Sequence, residues 1–368
     1  MGMGRVFWFS AFVIGYTYLG YPLLLAAWAR LGTRLVHKAN ITATRNWPSI
    51  SIIVAARNEG ARLPGRLDNL LQLNYPGRRE VIVVSDGSTD NTAAALSRYH
   101  GRVRMVEIEP SGKARALNAG VVVATGDILL FADARQRFAA NALVELVSNF
   151  ADPQVGGVTG ELILDAECSD SVSTIGDGVG LYWTYEKWLR RNESAVWSTL
   201  GATGAIYAIK RNLWQPLPAE TLLDDVLVPM RVVLSGQRVV FEERARAFDR
   251  ASTDAASEVR RKTRTLSGNY QILAQEPRLC VPGVNPVWLQ YMSHKVGRLF
   301  VPWALIGTFM TSAVLASSSW FFMMAFAAQV SFYALAALGA ILDARDRRKH
   351  STIPRVIAEG GRATSWSH

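Results

Sequence analysis

The chain has 368 residues, 49% of them hydrophobic and 19% charged, with 40 Lys and Arg against 30 Asp and Glu. That is ample material for a core and excludes a wholly disordered chain. The formal net charge of +10 suits a nucleic acid, an anionic membrane surface or a phosphorylated substrate, so placement decides between them. The bases flank long uncharged runs, with Arg30, Arg34 and Lys38 after the first and Arg345, Arg347, Arg348 and Lys349 after the last. That pattern points to a membrane and away from a nucleic-acid partner.

In chain order, the first element is the uncharged run between Arg5 and Arg30. Residues 6–28 exceed the roughly 20 helical residues that cross a hydrocarbon core, and Tyr16, Tyr18, Tyr21 and Trp28 suit interfacial anchors. A cleavable signal peptide is the competing reading, because Ala27-Trp28-Ala29 resembles a small-x-small cleavage site. With its linker, this span makes up segment 1–46. Segment 47–282 alternates β-branched runs with helical stretches, and strands are predicted at Ser49–Ala55, Val81–Ser85, Val103–Ile108 and Ile128–Phe131. The alternation implies an α/β domain with a Rossmann-like, mainly parallel sheet.

In segment 283–298, Trp288, Tyr291, Met292, His294, Lys295 and Arg298 recur at the spacing of an amphipathic helix lying on a membrane surface. Segment 299–342 carries no charge, and as one helix it would be about twice the bilayer thickness. Two spans are therefore predicted, with the turn at Ser317-Ser318-Ser319, followed by a basic tail, 343–368. Few bases precede the first span and many follow it. The middle domain and the tail are accordingly placed on the cytoplasmic side of an inner (plasma) membrane crossed three times. Cys168 and Cys280 sit in no metal or disulfide spacing and are read as reduced thiols.

In α/β sheets, ligands bind beyond the carboxyl ends of the strands. There the sequence places Arg57-Asn58-Glu59, then Ser85-Asp86-Gly87-Ser88-Thr89-Asp90, then Asp133-Ala134-Arg135. Gly112-Lys113-Ala114-Arg115 opens a helix, where side-chain charge adds to free N–H groups against a diphosphate, although the spacing is not that of a P-loop. Each motif alone reads equally well as turn or cap chemistry. Their order on successive strand ends is what points to a nucleotide site. Downstream, Asp224-Asp225 supplies paired carboxylates. It is preceded by Gly201-Ala202-Thr203-Gly204, small residues that let a backbone approach a ligand. Tyr182, Trp183, Tyr185 and Trp188, beside Arg190 and Arg191, offer rings for stacking on sugars or for helix packing.

In series, from about Ser49 to Arg264, these motifs resemble the family 2 inverting glycosyltransferases. The membrane layout is similar to that of the bacterial exopolysaccharide synthases among them, such as the poly-N-acetylglucosamine, hyaluronan and cellulose synthases. The resemblance implies a GT-A fold and a nucleotide-sugar donor, UDP-linked, held by Arg57, Glu59, Asp86, Lys113, Asp133, Arg135 and Arg264. It implies Asp225 as the base that deprotonates an acceptor hydroxyl, with Gly201, Thr203, Gly204, Asp224 and Trp183 on the acceptor side. The acceptor would be a polysaccharide or lipid-linked glycan, and further copies or other synthase subunits would be partners. Two positions depart from the family pattern. Asp133 matches the first Asp of the D-x-D motif that helps bind Mg or Mn, but Arg135 replaces the second, which weakens the metal site and puts a bidentate cation in its place. Arg261-Lys262-Thr263-Arg264-Thr265 stands where processive synthases have Gln-x-x-Arg-Trp, keeping Arg264 but losing the aromatic platform. Transfer of one or a few sugars is therefore expected. A polyprenyl-phosphate glycosyltransferase and a non-catalytic membrane subunit of a polysaccharide synthase are the alternatives.

Overall fold

The computed structural model describes residues 2–39, 46–165, 174–250 and 255–360; Cys168 lies outside them, and Cys280 is a free thiol. The chain forms two compact units, Thr17–Leu299 and the paired ends Met1–Tyr16 with Phe300–His368.

The first helices are α1 (Gly2–Gly15) and α2 (Tyr21–Leu31), joined by a π-helical turn, Tyr16–Gly20. The unit Thr17–Leu299 is built on an eight-stranded sheet of order β3-β2-β1-β4-β7-β6-β8-β5. Its strands are β1 (Ile50–Ala56), β2 (Arg79–Asp86), β3 (Arg104–Ile108), β4 (Ile128–Asp133), β5 (Arg137–Phe138), β6 (Val155–Asp165), β7 (Ile206–Lys210) and β8 (Arg238–Arg250). Between them run α3 (Leu63–Gln72), α4 (Thr92–Ser97), α5 (Lys113–Val123), α6 (Ala142–Ser148), α7 (Thr174–Val196) and α8 (Asp224–Leu234). After the sheet come α9 (Ala255–Gln275), α10 (Trp288–Gln290), a second π-helical stretch (Tyr291–Val296), α11 (Gly297–Leu315) and α12 (Trp320–Gly360).

The β1 sequence, ISIIVAA, is apolar at nearly every position because both of its faces are covered. Side chains alternate across a strand, so Ile52 and Val54 pack with Leu63, Leu67 and Leu70 of α3 and Leu143 and Leu146 of α6. Ile53, between them, enters the opposite layer with Ala116 and Leu117 of α5 and Val226 and Met230 of α8. The four predicted strands are present as β1 to β4, and these pair in parallel. Beyond β4 the sheet is mixed, because β7 runs antiparallel to both β4 and β6. The reversal has a local cause: Ile206 opens β7 opposite Ala132, so the Gly201–Ala205 loop enters the sheet at the edge where β4 ends. That reversal puts the two-glycine loop beside Asp133.

The stretch expected to lie as a surface helix instead begins a helical run, Trp288–Leu315, in which Tyr291, Ser293, His294 and Val296 are buried. The linker after α2 is fixed to the domain. The Arg34 N–H donates to the Ala195 carbonyl at 2.8 Å, and fully buried Arg238 donates to the carbonyls of Trp197, Ser194 and Arg34.

In the second unit, Trp8 stacks on Phe321 at 5.5 Å and Phe7 meets Phe322 edge-on at 5.1 Å. Gly307 lies against Ser10, where a Cβ would come within 2.6 Å of the hydroxyl, the small-residue contact that lets membrane helices approach. Gln329 bonds Ser312 and accepts from Thr308, each at 3.2 Å. Three helices, Gly2–Leu31, Trp288–Leu315 and Trp320–Gly339, are long and apolar enough to cross a membrane. Their exposed faces carry large apolar residues, including Phe9, Phe12, Trp303, Met310, Phe332 and Leu335. A core helix would turn that face inward. The turn between the last two spans falls after Leu315 and before Trp320, at the serine triplet.

Candidate active site

The sheet order changes direction between β1 and β4, the switch point where α/β sheets open a crevice. The loop after β1 is tied to the loop after β2. The Thr89 N–H donates to Asn58 Oδ1 at 2.8 Å, the Glu59 N–H to Thr92 Oγ1 at 3.1 Å, and the Gly60 N–H to Asp90 Oδ2 at 3.0 Å. Asn58 adopts φ 55°, left-handed backbone that Asn tolerates better than other non-glycine residues. Glu59 accepts from Arg62 at 3.1 Å, and exposed Arg57 lies 3.9 Å from Asp86.

Asp86 closes β2 and is 4% exposed. Its carboxylate accepts the backbone N–H groups of Ser111 at 2.6 Å and Gly112 at 3.0 Å, so in this structure it holds the loop that starts α5. Gly112 has φ 91°, a conformation that side-chain-bearing residues rarely adopt. The combination aims Lys113 across the crevice, where its ammonium lies 3.2 Å from both Asp133 Oδ1 and Asp224 Oδ1. Although its surroundings desolvate it, Lys113 is held firmly protonated by Asp224, Asp133 and Asp225.

Asp224 is buried and also accepts from the Tyr207 hydroxyl at 3.3 Å. Burial, above all, and the neighbouring Asp224 push the Asp225 carboxyl up to about 6, against the pull of Lys113 and Lys295. A Cβ on Gly204 would lie 3.0 Å from Asp225 Oδ2, and one on Gly201 3.4 Å from the Asp225 carbonyl. Pro229, inside α8, has no N–H to give the carbonyl four residues back. That carbonyl belongs to Asp225 and accepts the Ala202 N–H at 2.6 Å instead. The proline thus leaves the helix open where the glycine loop docks. Thr203 is buried and accepts from Arg190 at 2.6 Å.

Arg57, Glu59, Asp86, Lys113, Asp133, Gly201, Thr203, Gly204, Asp224 and Asp225 therefore line one sheet edge. Three predicted residues stand apart from the Lys113 cluster. Arg135 pairs with Asp249 at 3.0 Å, Trp183 packs under Arg261 at 5.7 Å, and Arg264 is exposed on α9. Gly268, one turn beyond Arg264, packs on Leu222 and Leu223. Tyr207 and Glu80 show what local spacing hides. Tyr207 supports Asp224 from a strand absent from the predicted set, and Glu80 anchors Thr125 ahead of β4. A D-x-D metal site does not fit these residues. The second carboxylate is a guanidinium turned to Asp249, and the first is already bonded to an ammonium. Among the described residues, no three His, Cys, Asp or Glu side chains converge as cation ligands.

Residues 51–211 match the family model for glycosyl transferase family 2. A poly-β-1,6-N-acetyl-D-glucosamine synthase of Staphylococcus aureus (strain COL) is 24% identical over 239 residues, 62% of this chain and 56% of that protein. The synthase of the same name from Staphylococcus epidermidis is 23% identical over 236 residues, with the same shares covered. The chain thus spans about half the length of these curated relatives. In fold, it is similar to a mannosyltransferase from Pyrobaculum calidifontis, solved in complex with GDP-Man and Mn2+. The TM-score is 0.69 and the identity 23%, over 91% of this chain and 92% of that one. Across residues 51–211, this chain carries a family 2 glycosyltransferase domain, set in a GT-A fold.

Proposed function

We propose that the domain transfers a sugar, with inversion, from a nucleotide sugar to a hydroxyl of a polysaccharide or lipid-linked glycan at the inner membrane, with the domain facing the cytoplasm. A UDP-linked donor and a role in exopolysaccharide or cell-envelope glycan synthesis are part of the proposal, and the names of the staphylococcal relatives, synthases of a polysaccharide, support the glycan role. One observation carries the reading. A carboxylate raised to about 6 lies against a two-glycine loop, and the ammonium of Lys113 lies between the next carboxylate and Asp133.

In the proposed step the acceptor O–H proton passes to Asp225 as the acceptor oxygen bonds to the anomeric carbon. The bond from that carbon to the diphosphate oxygen breaks, and its electron pair leaves with the nucleoside diphosphate. Fixed cations facing that developing charge stabilise it most when they are in place beforehand. Lys113 supplies one such cation, and Arg135 a second once it swings from Asp249. The glycine loop admits the acceptor to the open side of Asp225.

The pH–rate profile tests the base. Asp225 must be ionised to accept a proton, so kcat/KM should be flat above about pH 7. Below an apparent pKa of about 6 it should fall roughly tenfold per pH unit. A flat profile from pH 5 to 8 would remove Asp225 from the role.

Charge neutralisation has its own test. Treatment with a chelator should change the rate less than about twofold, and Arg135→Asp without added metal should lower it by roughly tenfold or more. Strict metal dependence together with an unaffected Arg135→Asp enzyme would sink this part of the proposal.

A further inference from the structure

A second group of charges is buried in the unit Thr17–Leu299, where α7 meets two of the apolar helices. Gly297 lies against Thr17, where a Cβ would come within 3.1 Å of the hydroxyl, and each helix is π-helical at that level, Tyr16–Gly20 in one and Tyr291–Val296 in the other. Such turns re-aim side chains and recur at functional sites.

The two carboxylates of the group are already matched. Glu193 accepts from the Tyr21 hydroxyl at 3.0 Å and lies 2.6 Å from His294 Nδ1. Glu186 pairs with Arg298 at 2.5 Å. The cations are not exhausted by these contacts. Arg190 gives one N–H to Thr203 and, among the described residues, neither it nor Lys295 forms an ion pair. Arg298 Nε and Nη2 are buried without a hydrogen-bond partner, while His294 Nε2 faces Glu186 at 3.7 Å. Burial pushes the Arg190 guanidinium down, while Glu186, Glu193 and Asp225 pull it back. Arg190 and Lys295 are half-buried, and half-buried cations with no carboxylate in contact are costly unless an anion completes them; ionisable groups in helices of this kind mark ligand paths.

The position fixes what the anion serves. Thr203, which anchors Arg190, is next to Gly204, where a Cβ would lie 3.0 Å from Asp225 Oδ2, and Lys295 follows His294, whose ring meets Glu193 close to Arg190 along α7; the charge of Lys295 also draws the Asp225 carboxyl down. Lys295 also sits in the first turns of Trp288–Leu315, a helix long and apolar enough to cross a membrane.

We infer that Arg190 and Lys295 form a phosphate site for a membrane-lipid acceptor, holding the phosphate that joins lipid to sugar while a hydroxyl of that sugar reaches Asp225. This rests on the reading of Asp225 as the base and names the acceptor class for it. Arginine suits the site because its planar fork binds phosphate oxygens in pairs.

The test uses the full chain in nanodiscs of neutral phosphatidylcholine, with binding measured for polyprenyl phosphate, for the matching polyprenol and for inorganic phosphate. Polyprenyl phosphate should bind at least tenfold more tightly than either of the other two. Arg190→Gln and Lys295→Gln should each weaken it by tenfold or more, with nucleoside-diphosphate binding and thermal midpoint close to wild type as the check on folding. If a variant fails that check, Lys295→Arg serves in its place and should retain binding. Equal binding of polyprenol would overturn the phosphate site, and equal binding of inorganic phosphate would overturn its lipid origin. Unchanged binding in both Gln variants would show that the two cations serve only to tune Asp225. Asp225→Asn separates the two readings. It should bind polyprenyl phosphate normally, and if it also kept full transfer activity, the base assignment would fail while the phosphate site stood.

Discussion

Asp225→Asn is expected to lower kcat for glycosyl transfer by about 10²–10⁴-fold, the usual contribution of a positioned general base, while nucleoside-diphosphate binding stays within twofold. The amide is nearly isosteric, so the Gly201–Gly204 loop and the Ala202 bond to the residue 225 carbonyl should survive. A second readout separates a base from a structural carboxylate. The folded-state pKa of Asp225 is raised, to about 6, so the folded protein holds this proton more tightly than the unfolded chain does. Stability from this group is full below the unfolded value near 4 and is lost as pH rises through about 6. At pH 7.5 the ionised carboxylate therefore destabilises the fold, and the Asn variant should melt about 2–4 °C higher than wild type. At pH 4 the difference should vanish. A variant both inactive and more stable at neutral pH is the signature of strain kept for function. A variant that is inactive because it misfolds would melt lower.

Lys113→Met should lower kcat/KM by about 10²–10³-fold, the scale for removing one preorganised charge from a developing anion. The ammonium is shared between Asp133 and Asp224, and its loss leaves buried Asp224, among the described residues, with the Tyr207 hydroxyl. Lys113 also draws the Asp225 carboxyl downward. Without it that pKa must rise, so the acid limb of the pH–rate profile should move above 6 by a measurable step. Lys113→Arg keeps the charge and should keep that limb near its wild-type position, even where altered geometry lowers the rate. A Lys113→Met enzyme with a normal pH profile would mean that the lysine acts on the donor alone.

Much of this arrangement was legible in the chain because it depends on short-range rules. Continuous β-branched runs identified the four parallel strands, and the polar residues after each run gather at one sheet edge. Gly112 before Lys113 and the Asp224-Asp225 pair were visible as local motifs. What escaped depends on contacts between residues far apart in sequence. Asp86 looked like a nucleoside contact, yet its oxygens hold the backbone of Ser111 and Gly112. Arg135 looked turned to a diphosphate, yet it pairs with Asp249, 114 positions away. The antiparallel β7 follows from where the chain re-enters the sheet, which no periodicity records. His294 and Lys295 fitted the spacing of a surface helix, and only the meeting of that helix with α7 buries His294 against Glu193.

The most direct test offers the purified full chain a panel of UDP- and GDP-sugars with lipid-linked glycan acceptors and measures nucleoside-diphosphate release by wild-type and Asp225→Asn protein, with and without chelator. The account predicts acceptor-dependent release from one donor, little changed by chelator and nearly abolished in the variant. No release from any donor, or equal release by both proteins, would contradict it.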